Sequence, residues 1–95
     1  MYKLSELAAL DFTHIYEYTL IHCGESKADE YLDGLEDVFN LLAHSPKIGS
    51  ECSEYLPNTG RHYHRKHVIY YQTLSNNVFI IRILHQQMEP KVQFV

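Results

Sequence analysis

The sequence predicts a single α+β domain, spanning residues 1–95, in which two antiparallel helices pack on an antiparallel sheet of three or four strands. The 95 residues suffice for one hydrophobic core but not for two. Apolar residues recur at helical spacing in the first half of the chain and alternate with a period of two in the second half. The same boundary separates an acidic half from a basic half. Helices followed by strands in this order are typical of an α+β fold.

Composition and the lengths of the apolar runs restrict the class of protein. Hydrophobic residues make up 45% and charged residues 21% of the chain, which is typical of a globular domain and excludes intrinsic disorder. Apolar runs such as Val78–Ile81 are far shorter than the roughly 20 residues that a membrane-spanning helix requires. Cys23 and Cys52 have no CxxC partner, so we expect reduced thiols rather than a disulfide or a zinc site. We therefore expect a cytoplasmic protein without membrane, metal or cofactor.

A strand and a first helix are predicted at the N-terminus. Residues 1–3 can add an edge strand to the sheet. Ser5 is a favourable N-cap, and Gly24 is a typical residue at the end of a helix. Between them, apolar residues at spacings of three and four form one stripe, which comprises Leu4, Ala8, Phe12, Ile15 and Thr19 with Leu7 and Tyr18 beside them.

A second helix follows after a very short connection. Ser26 is predicted to cap it, with Asp29 at the capping-box position, and Pro46 disfavours helical geometry in the residue before it. Gly24 and Glu25 leave room only for antiparallel neighbours, so the two helices form a hairpin. The apolar stripe of the second helix comprises Ala28, Tyr31, Leu32, Leu35, Val38, Phe39 and Leu42.

Three strands are predicted in the second half, after a loop over residues 49–60. The strands are Arg61–Arg65, His67–Leu74 and Val78–His85. The turn residues at 75–77 make the last two strands an antiparallel hairpin.

The last strand carries a charge among aliphatic residues. Its alternation predicts two faces, with Phe79, Ile81 and Ile83 toward the helices and Ile80, Arg82 and Leu84 on the opposite, open face. An unpaired buried charge costs several kcal/mol, so Arg82 needs a carboxylate partner. That carboxylate belongs either to this chain or to a partner protein, and the sequence leaves both alternatives open.

A cluster of histidines lies in the first and second of these strands. His62, His64 and His67 are closely spaced, but no cysteine or carboxylate lies near them. The stretch RHYHRKH also mixes cations with aromatic rings, as surfaces that bind single-stranded RNA do. We interpret the cluster as a solvated or partner-covered strand face rather than a metal site.

Four segments of the chain together resemble the ParE toxins of the RelE/ParE superfamily. They are LAALDFTHIYEYTL in the first helix, YLDGLEDVFNLLAHSPKIG through the second helix, RKHVIYYQ in the middle strand and IIRILHQ in the last strand. The order and spacing of the segments carry the resemblance, which runs over nearly the whole chain, and none of them is a catalytic signature. The resemblance implies the element order βααβββ.

The resemblance also implies a function, that of the toxin in a type II toxin–antitoxin module with a role in plasmid stabilisation. ParE toxins typically inhibit DNA gyrase by binding, which implies no catalytic residues, a hetero-oligomer with a neutralising cognate antitoxin, and contact with operator DNA only through that antitoxin. We expect the antitoxin to bind the open sheet face at Tyr70, Ile80, Arg82 and Leu84. We expect the C-terminal tail to bind the target through His85, Gln86, Gln87, Met88 and Phe94.

The RelE branch of the superfamily implies an alternative function, because its members cleave messenger RNA on the ribosome. Under this alternative the candidate catalytic residues are Arg61, Arg65, Arg82 and His85. The ending HQQMEP supplies no second acid or base close to His85, which weakens the ribonuclease interpretation.

Overall fold

The order of helices and strands follows the predicted α+β plan. A computed structural model describes residues 1–54, 56–75, 77–88 and 90–93. The elements are β1 (Tyr2–Leu4), α1 (Glu6–Cys23), α2 (Glu25–His44), a short 3₁₀ turn (Pro46–Ile48), β2 (Ser50–Glu51), β3 (Thr59–His64), β4 (His67–Thr73), β5 (Val78–His85) and α3 (Pro90–Gln93). The helical hairpin of α1 and α2 packs on one sheet with the strand order β1-β5-β4-β3-β2.

The sheet has more strands than the predicted three or four, and it is mixed rather than purely antiparallel. The first strand, β1, pairs in parallel with β5, whereas the other neighbours are antiparallel. The predicted loop over residues 49–60 contains β2, which pairs with Gly60 and Arg61 of β3. A strand of two residues is too short to show a period of two, so the sequence pattern does not reveal it.

Local residues mark both ends of α1 and the start of α2. The Ser5 hydroxyl accepts a hydrogen bond from the Ala8 N–H at 2.9 Å and donates one to the Ile81 carbonyl at 2.6 Å, which ties the start of α1 to β5. Gly24, with φ of 89°, ends α1 and also precedes the first residue of α2. The prediction that Ser26 caps α2 was wrong, because Ser26 lies inside that helix and the connection is shorter than expected.

A β-bulge in β5 changes which side chains face the helices. Tyr70 of β4 lies opposite Arg82, and Tyr71 lies opposite Ile80, so Ile81 is an extra residue without a counterpart. Ile80 and Ile83 therefore both belong to the core beneath the helices. The predicted alternation was right for Ile83 but wrong for Ile80 and Ile81, because it assumed an uninterrupted period of two.

Two apolar clusters cover the two faces of the sheet. In the larger cluster the Phe39 ring lies 5.1 Å from that of Tyr2 and 6.0 Å from that of Phe12. The smaller cluster lies on the opposite face and comprises the buried Cys52, Val68, Tyr70 and Leu84 with Ile81 packed against them. The sheet face that the sequence predicts to be open thus carries a buried cluster of its own.

Candidate functional site

The charge in β5 has its carboxylate partner within the chain. The Arg82 guanidinium donates to both oxygens of the Asp11 carboxylate of α1, with distances of 2.8 and 2.9 Å. The same carboxylate accepts the Ile83 backbone N–H at 3.0 Å. The two charged side chains are only 12% and 13% exposed. The hydrogen bonds to Asp11 raise the pKa of Arg82, so the guanidinium is charged and committed to this pair.

The candidate residues for ribonuclease activity lie in different parts of the molecule. Arg82 is bound to Asp11. Arg61 donates to the Cys52 sulfur at 3.8 Å, beside the smaller cluster. Arg65, in the turn between β3 and β4, and His85, at the end of β5, line a common cleft. The cleft therefore brings together two of the four candidates. Arg82 adjoins it through Asp11, which lines the same cleft, and Arg61 lies apart beside Cys52.

We call the space between α1, α2, the β3–β4 turn and the end of β5 the histidine cleft, and its walls include Tyr31, Arg65, Lys66, His67 and His85. It has a volume of about 590 Å³, and it adjoins a cavity of about 380 Å³ that shares Tyr31 and Arg65 with it. Arg65 and Lys66 are exposed at its mouth, whereas Tyr31, His67 and His85 are partly buried.

Hydrogen bonds hold two imidazoles in the cleft. The Tyr31 hydroxyl lies 2.5 Å from His67 Nδ1. Burial, with the nearby His85 and His64, lowers the pKa of His67 to about 4, and burial raises the pKa of Tyr31. At neutral pH both groups are therefore uncharged, and the hydrogen bond joins the hydroxyl to Nδ1 in either tautomer of the His67 ring. His85 Nδ1 accepts the Gln87 N–H at 3.2 Å, which leaves the proton of a neutral His85 on Nε2.

A third imidazole packs against the same tyrosine. The His64 ring lies 5.8 Å from the Tyr31 ring, and its Nε2 is buried without a hydrogen-bond partner in the described part of the chain. Burial lowers the pKa of His64. Gly34 of α2 packs beside this ring, where a Cβ would lie in ordinary van der Waals contact at 3.4 Å from His64 Nε2. His64, His67 and His85 thus cluster across β3, β4 and β5. No group of residues that could hold a metal ion occurs among residues 1–54, 56–75, 77–88 and 90–93.

The residues predicted to bind the antitoxin are less accessible than the sequence suggests. Tyr70 and Leu84 are 2% and 1% exposed in the smaller cluster, and Arg82 is paired with Asp11. The placement of Ile80 on the open face was wrong, because the bulge turns it toward the helices, where it is fully buried.

The residues predicted to bind the target occupy the turn after β5. Gln86, Gln87 and Met88 are exposed there, and His85 is partly buried in the wall of the histidine cleft. Phe94 lies outside the described residues.

The outer face of α1 carries apolar side chains that the sequence does not predict to be exposed. Leu7, Leu10, Tyr18 and Ile21 are between 50% and 78% exposed, and with His14 they lie along one side of the helix. We call this surface the α1 stripe. The signal in the sequence is a helix that is apolar on nearly all sides, which requires a cover on the face away from the core.

The stability of the fold is expected to fall by about 1–2 kcal/mol between pH 7 and pH 5 because of His67. Its pKa is about 4 in the folded protein against 6.5 for an unperturbed histidine, so the unfolded chain binds the extra proton as the pH falls through 6.5. Urea unfolding at the two pH values measures the effect. His67→Gln removes this part of the pH dependence, whereas His14→Gln, an exposed position on α1, retains it. Equal pH dependence in the His67 variant would contradict the assignment.

Comparison with known proteins gives concordant results. The family described as "ParE toxin of type II toxin-antitoxin system, parDE" matches residues 2–90. The chain is 29% identical over 89 residues to Toxin ParE1 of Mycobacterium tuberculosis (strain CDC 1551 / Oshkosh), which covers 93% of this chain and 91% of that protein. It is 29% identical over 90 residues to Toxin ParE1 of Caulobacter vibrioides (strain ATCC 19089 / CIP 103742 / CB 15). The aligned residues cover 95% of this chain and 93% of that protein.

A solved structure shares the fold. A chain described as "Chromosomal ParDE TA system from P. aeruginosa" superposes with a TM-score of 0.75 at 19% identity, over 88% of this chain and 92% of that chain.

Within the described residues, neither long helix is apolar over a length that could cross a bilayer.

Proposed function

The chain belongs to the ParE toxins of type II toxin–antitoxin systems, and from this premise we propose that it arrests growth by binding DNA gyrase and is neutralised by a cognate antitoxin. The proposed action is binding without a reaction of its own. The bidentate pairing of Arg82 with Asp11 carries this proposal, because a guanidinium engaged with a carboxylate is not available to RNA phosphates. The separation of Arg61 from Arg65 and His85 supports it further.

Purified DNA gyrase provides the direct test of the target. Addition of the protein to gyrase, ATP and relaxed plasmid is expected to stop supercoiling and to leave linear DNA after detergent and protease treatment. The same toxin, mixed beforehand with its antitoxin, serves as the control and is expected to leave supercoiling intact. Full supercoiling at a large excess of free toxin would contradict gyrase as the target.

A ribosome-dependent messenger RNA interferase is the second candidate function, and the shared cleft of Arg65 and His85 is the observation in its favour. Ribosomes that carry a defined transcript are expected to show no cleavage on addition of the toxin. Cleavage that is lost in His85→Gln and Arg82→Met would replace the gyrase proposal with this one.

The α1 stripe is the surface that we assign to the antitoxin on the helical hairpin. Its apolar side chains need a cover, and Glu6 and Glu17 lie exposed on the same helix, so an amphipathic segment with basic flanks is complementary to it.

Charges placed on the α1 stripe are expected to weaken antitoxin binding. Leu10→Glu and Ile21→Glu each bury an unpaired carboxylate in the proposed interface, and a loss of about 10- to 30-fold in affinity is expected for each. Titration calorimetry measures the affinity, and co-expression reports whether the antitoxin still rescues growth. Leu74→Glu, at an apolar residue that is 48% exposed elsewhere, is the matched control. Unchanged affinity in both stripe variants would exclude this surface.

A further inference from the structure

The inner wall of the histidine cleft offers no free charge to a ligand. Burial raises the pKa of Tyr31 and lowers that of His67 to about 4, so these hydrogen-bonded groups are both uncharged at neutral pH. The Asp11 carboxylate in the same wall is bound by the Arg82 guanidinium and by the Ile83 N–H. An ionised side chain that entered the cleft would lose its hydration without gaining a counter-charge, so the walls favour an uncharged occupant.

Aromatic rings line much of the cleft. Tyr18, which is exposed at the entrance, packs on His22 with ring centroids 4.2 Å apart. Further inside, the ring of His67 lies 5.5 Å from that of Tyr31 and meets that of His85 edge-on, also at 5.5 Å. A bound ring gains more from such walls than an aliphatic side chain does, because ring pairs add to the free energy of apolar burial. The volume of about 590 Å³ lies in the range of pockets that hold small organic groups.

The rim of the cleft and of the adjoining cavity carries charges of both signs. Lys27, Arg65 and Lys66 are positive, Glu30 is negative, and all four are exposed. A rim of mixed sign selects neither a polyanion nor a polycation. It is complementary to a ring that has both acidic and basic neighbours in the partner.

The cleft is continuous with the α1 stripe. His14 and Tyr18 belong to both surfaces, because they lie along the stripe and also line the cleft. Glu6 and Glu17 are exposed along the other side of the stripe. A segment that covers the stripe therefore has one edge beside two carboxylates and the other edge over the cleft.

We propose that the histidine cleft receives one uncharged aromatic side chain from the antitoxin segment that covers the α1 stripe, and that this ring is the main anchor of the segment. This inference rests on the proposed neutralisation by an antitoxin, and it adds the pocket and the class of residue that fills it. Buried aromatic residues that fill a pocket of an interface are those whose removal typically reduces affinity most.

Fluorescence of a tryptophan probe tests the cleft in the full chain. The chain contains no tryptophan, so the emission of N-acetyltryptophanamide reports on the probe alone. The emission is expected to shift to the blue saturably as the toxin is added, because the indole leaves water. N-acetylleucinamide, an uncharged aliphatic compound, is the matched control, and in competition it is expected to bind at least about fivefold more weakly. Equal affinity of the two compounds, or no saturable shift, would overturn the proposal.

Nuclear magnetic resonance of the histidines locates the bound probe. The indole ring is expected to shift the resonances of His67 and His85 saturably, whereas those of His44, which is exposed at the end of α2, stay unchanged. Saturable binding that leaves both cleft histidines unshifted would place the ring elsewhere on the surface and would overturn the proposal.

A variant that fills the cleft tests the pocket. Thr19 lines both cavities, and Thr19→Phe places a ring there with loss of one hydrogen bond, from the Thr19 hydroxyl to the Ile15 carbonyl at 2.7 Å. This variant is expected to weaken the binding of both the probe and the antitoxin at least about tenfold. Thr13→Phe is the matched control, because Thr13 is exposed on the same helix and its hydroxyl donates to the Ala9 carbonyl at 3.1 Å.

A second filling variant guards against a loss of folding. Cys23 is exposed and lines both cavities, so Cys23→Phe narrows them from the surface and is expected to weaken the probe at least about fivefold. Thermal midpoints of all three variants show which of them are folded. Unchanged affinity for the probe in a folded Thr19→Phe or Cys23→Phe chain would overturn the proposal.

The antitoxin itself tests the source of the ring. Replacement of its aromatic residues by alanine, one at a time, is expected to reveal one position where affinity falls at least about 30-fold and where Thr19→Phe causes little further loss. Normal antitoxin binding without such a position overturns this inference and leaves the proposed function standing. Loss of gyrase inhibition in Thr19→Phe, with antitoxin binding unchanged, would assign the cleft to the target instead. Absence of antitoxin binding, with probe binding intact, overturns both the antitoxin as the source and the proposed neutralisation.

Discussion

Asp11→Ala is expected to destabilise the fold by about 3–5 kcal/mol, because it leaves the Arg82 guanidinium buried without a counter-charge. The side chains of the pair are 12% and 13% exposed, so water cannot replace the lost carboxylate without rearrangement. The substitution also removes the acceptor of the Ile83 N–H. Both losses occur where α1 packs on β5, at the centre of the fold.

Urea or thermal unfolding of purified variants measures this effect. Glu17→Ala, which removes an exposed carboxylate from the same helix, is expected to change the unfolding free energy by less than about 0.5 kcal/mol. The double variant Asp11→Leu with Arg82→Met removes both charges and is expected to recover most of the lost stability. A loss below about 1 kcal/mol in Asp11→Ala would place the pair in the class of solvent-screened surface ion pairs.

The parts of the fold that the sequence predicts well are those set by local chemistry. Ser5 and Gly24 mark the ends of α1 through their own hydrogen bonds and backbone angles, and both predictions are confirmed. The strand Val78–His85 is confirmed for the same reason, since its apolar residues and turn are contiguous in the chain. By contrast, the bulge at Ile81 depends on how β4 and β5 pair, and no residue within β5 signals it.

The candidate site depends on contacts between residues that are far apart in the chain. The sequence indicates that Arg82 needs a carboxylate, but Asp11 is 71 residues away and is one of many acidic residues in the first half. Tyr31 and His67 are 36 residues apart, and the helical pattern assigns Tyr31 only to the apolar stripe. Such pairs follow from the way in which the hairpin lies on the sheet, which periodicity does not encode.

The exposed α1 stripe marks a different limit of sequence analysis. Leu7 and Tyr18 fall at helical spacing beside the core residues, so the pattern assigns them to the core. In the fold the sheet covers one side of α1 and α2 covers another, and Leu7 and Tyr18 are 54% and 66% exposed. An apolar pattern predicts that a side chain is buried, but it does not distinguish burial within the same chain from burial against a partner protein.

Deletion of residues 89–95 is expected to abolish toxicity and to leave the fold and antitoxin binding intact. Both apolar clusters are composed of residues up to Leu84, so the core of the described chain does not depend on the deleted segment. The turn before it exposes Gln86, Gln87 and Met88, which are among the proposed target-binding residues.

Growth after induction of the truncated chain measures toxicity, and gyrase supercoiling measures its effect on the target. A thermal midpoint close to that of the full chain and an unchanged antitoxin affinity are the controls that separate loss of target binding from loss of folding. Met88→Ala is expected to give a partial loss of toxicity, because it removes one exposed apolar contact and keeps the rest of the tail. A truncated chain that remains fully toxic would exclude the tail as the target-binding segment. The α1 stripe and the histidine cleft would then be the candidate target-binding surfaces.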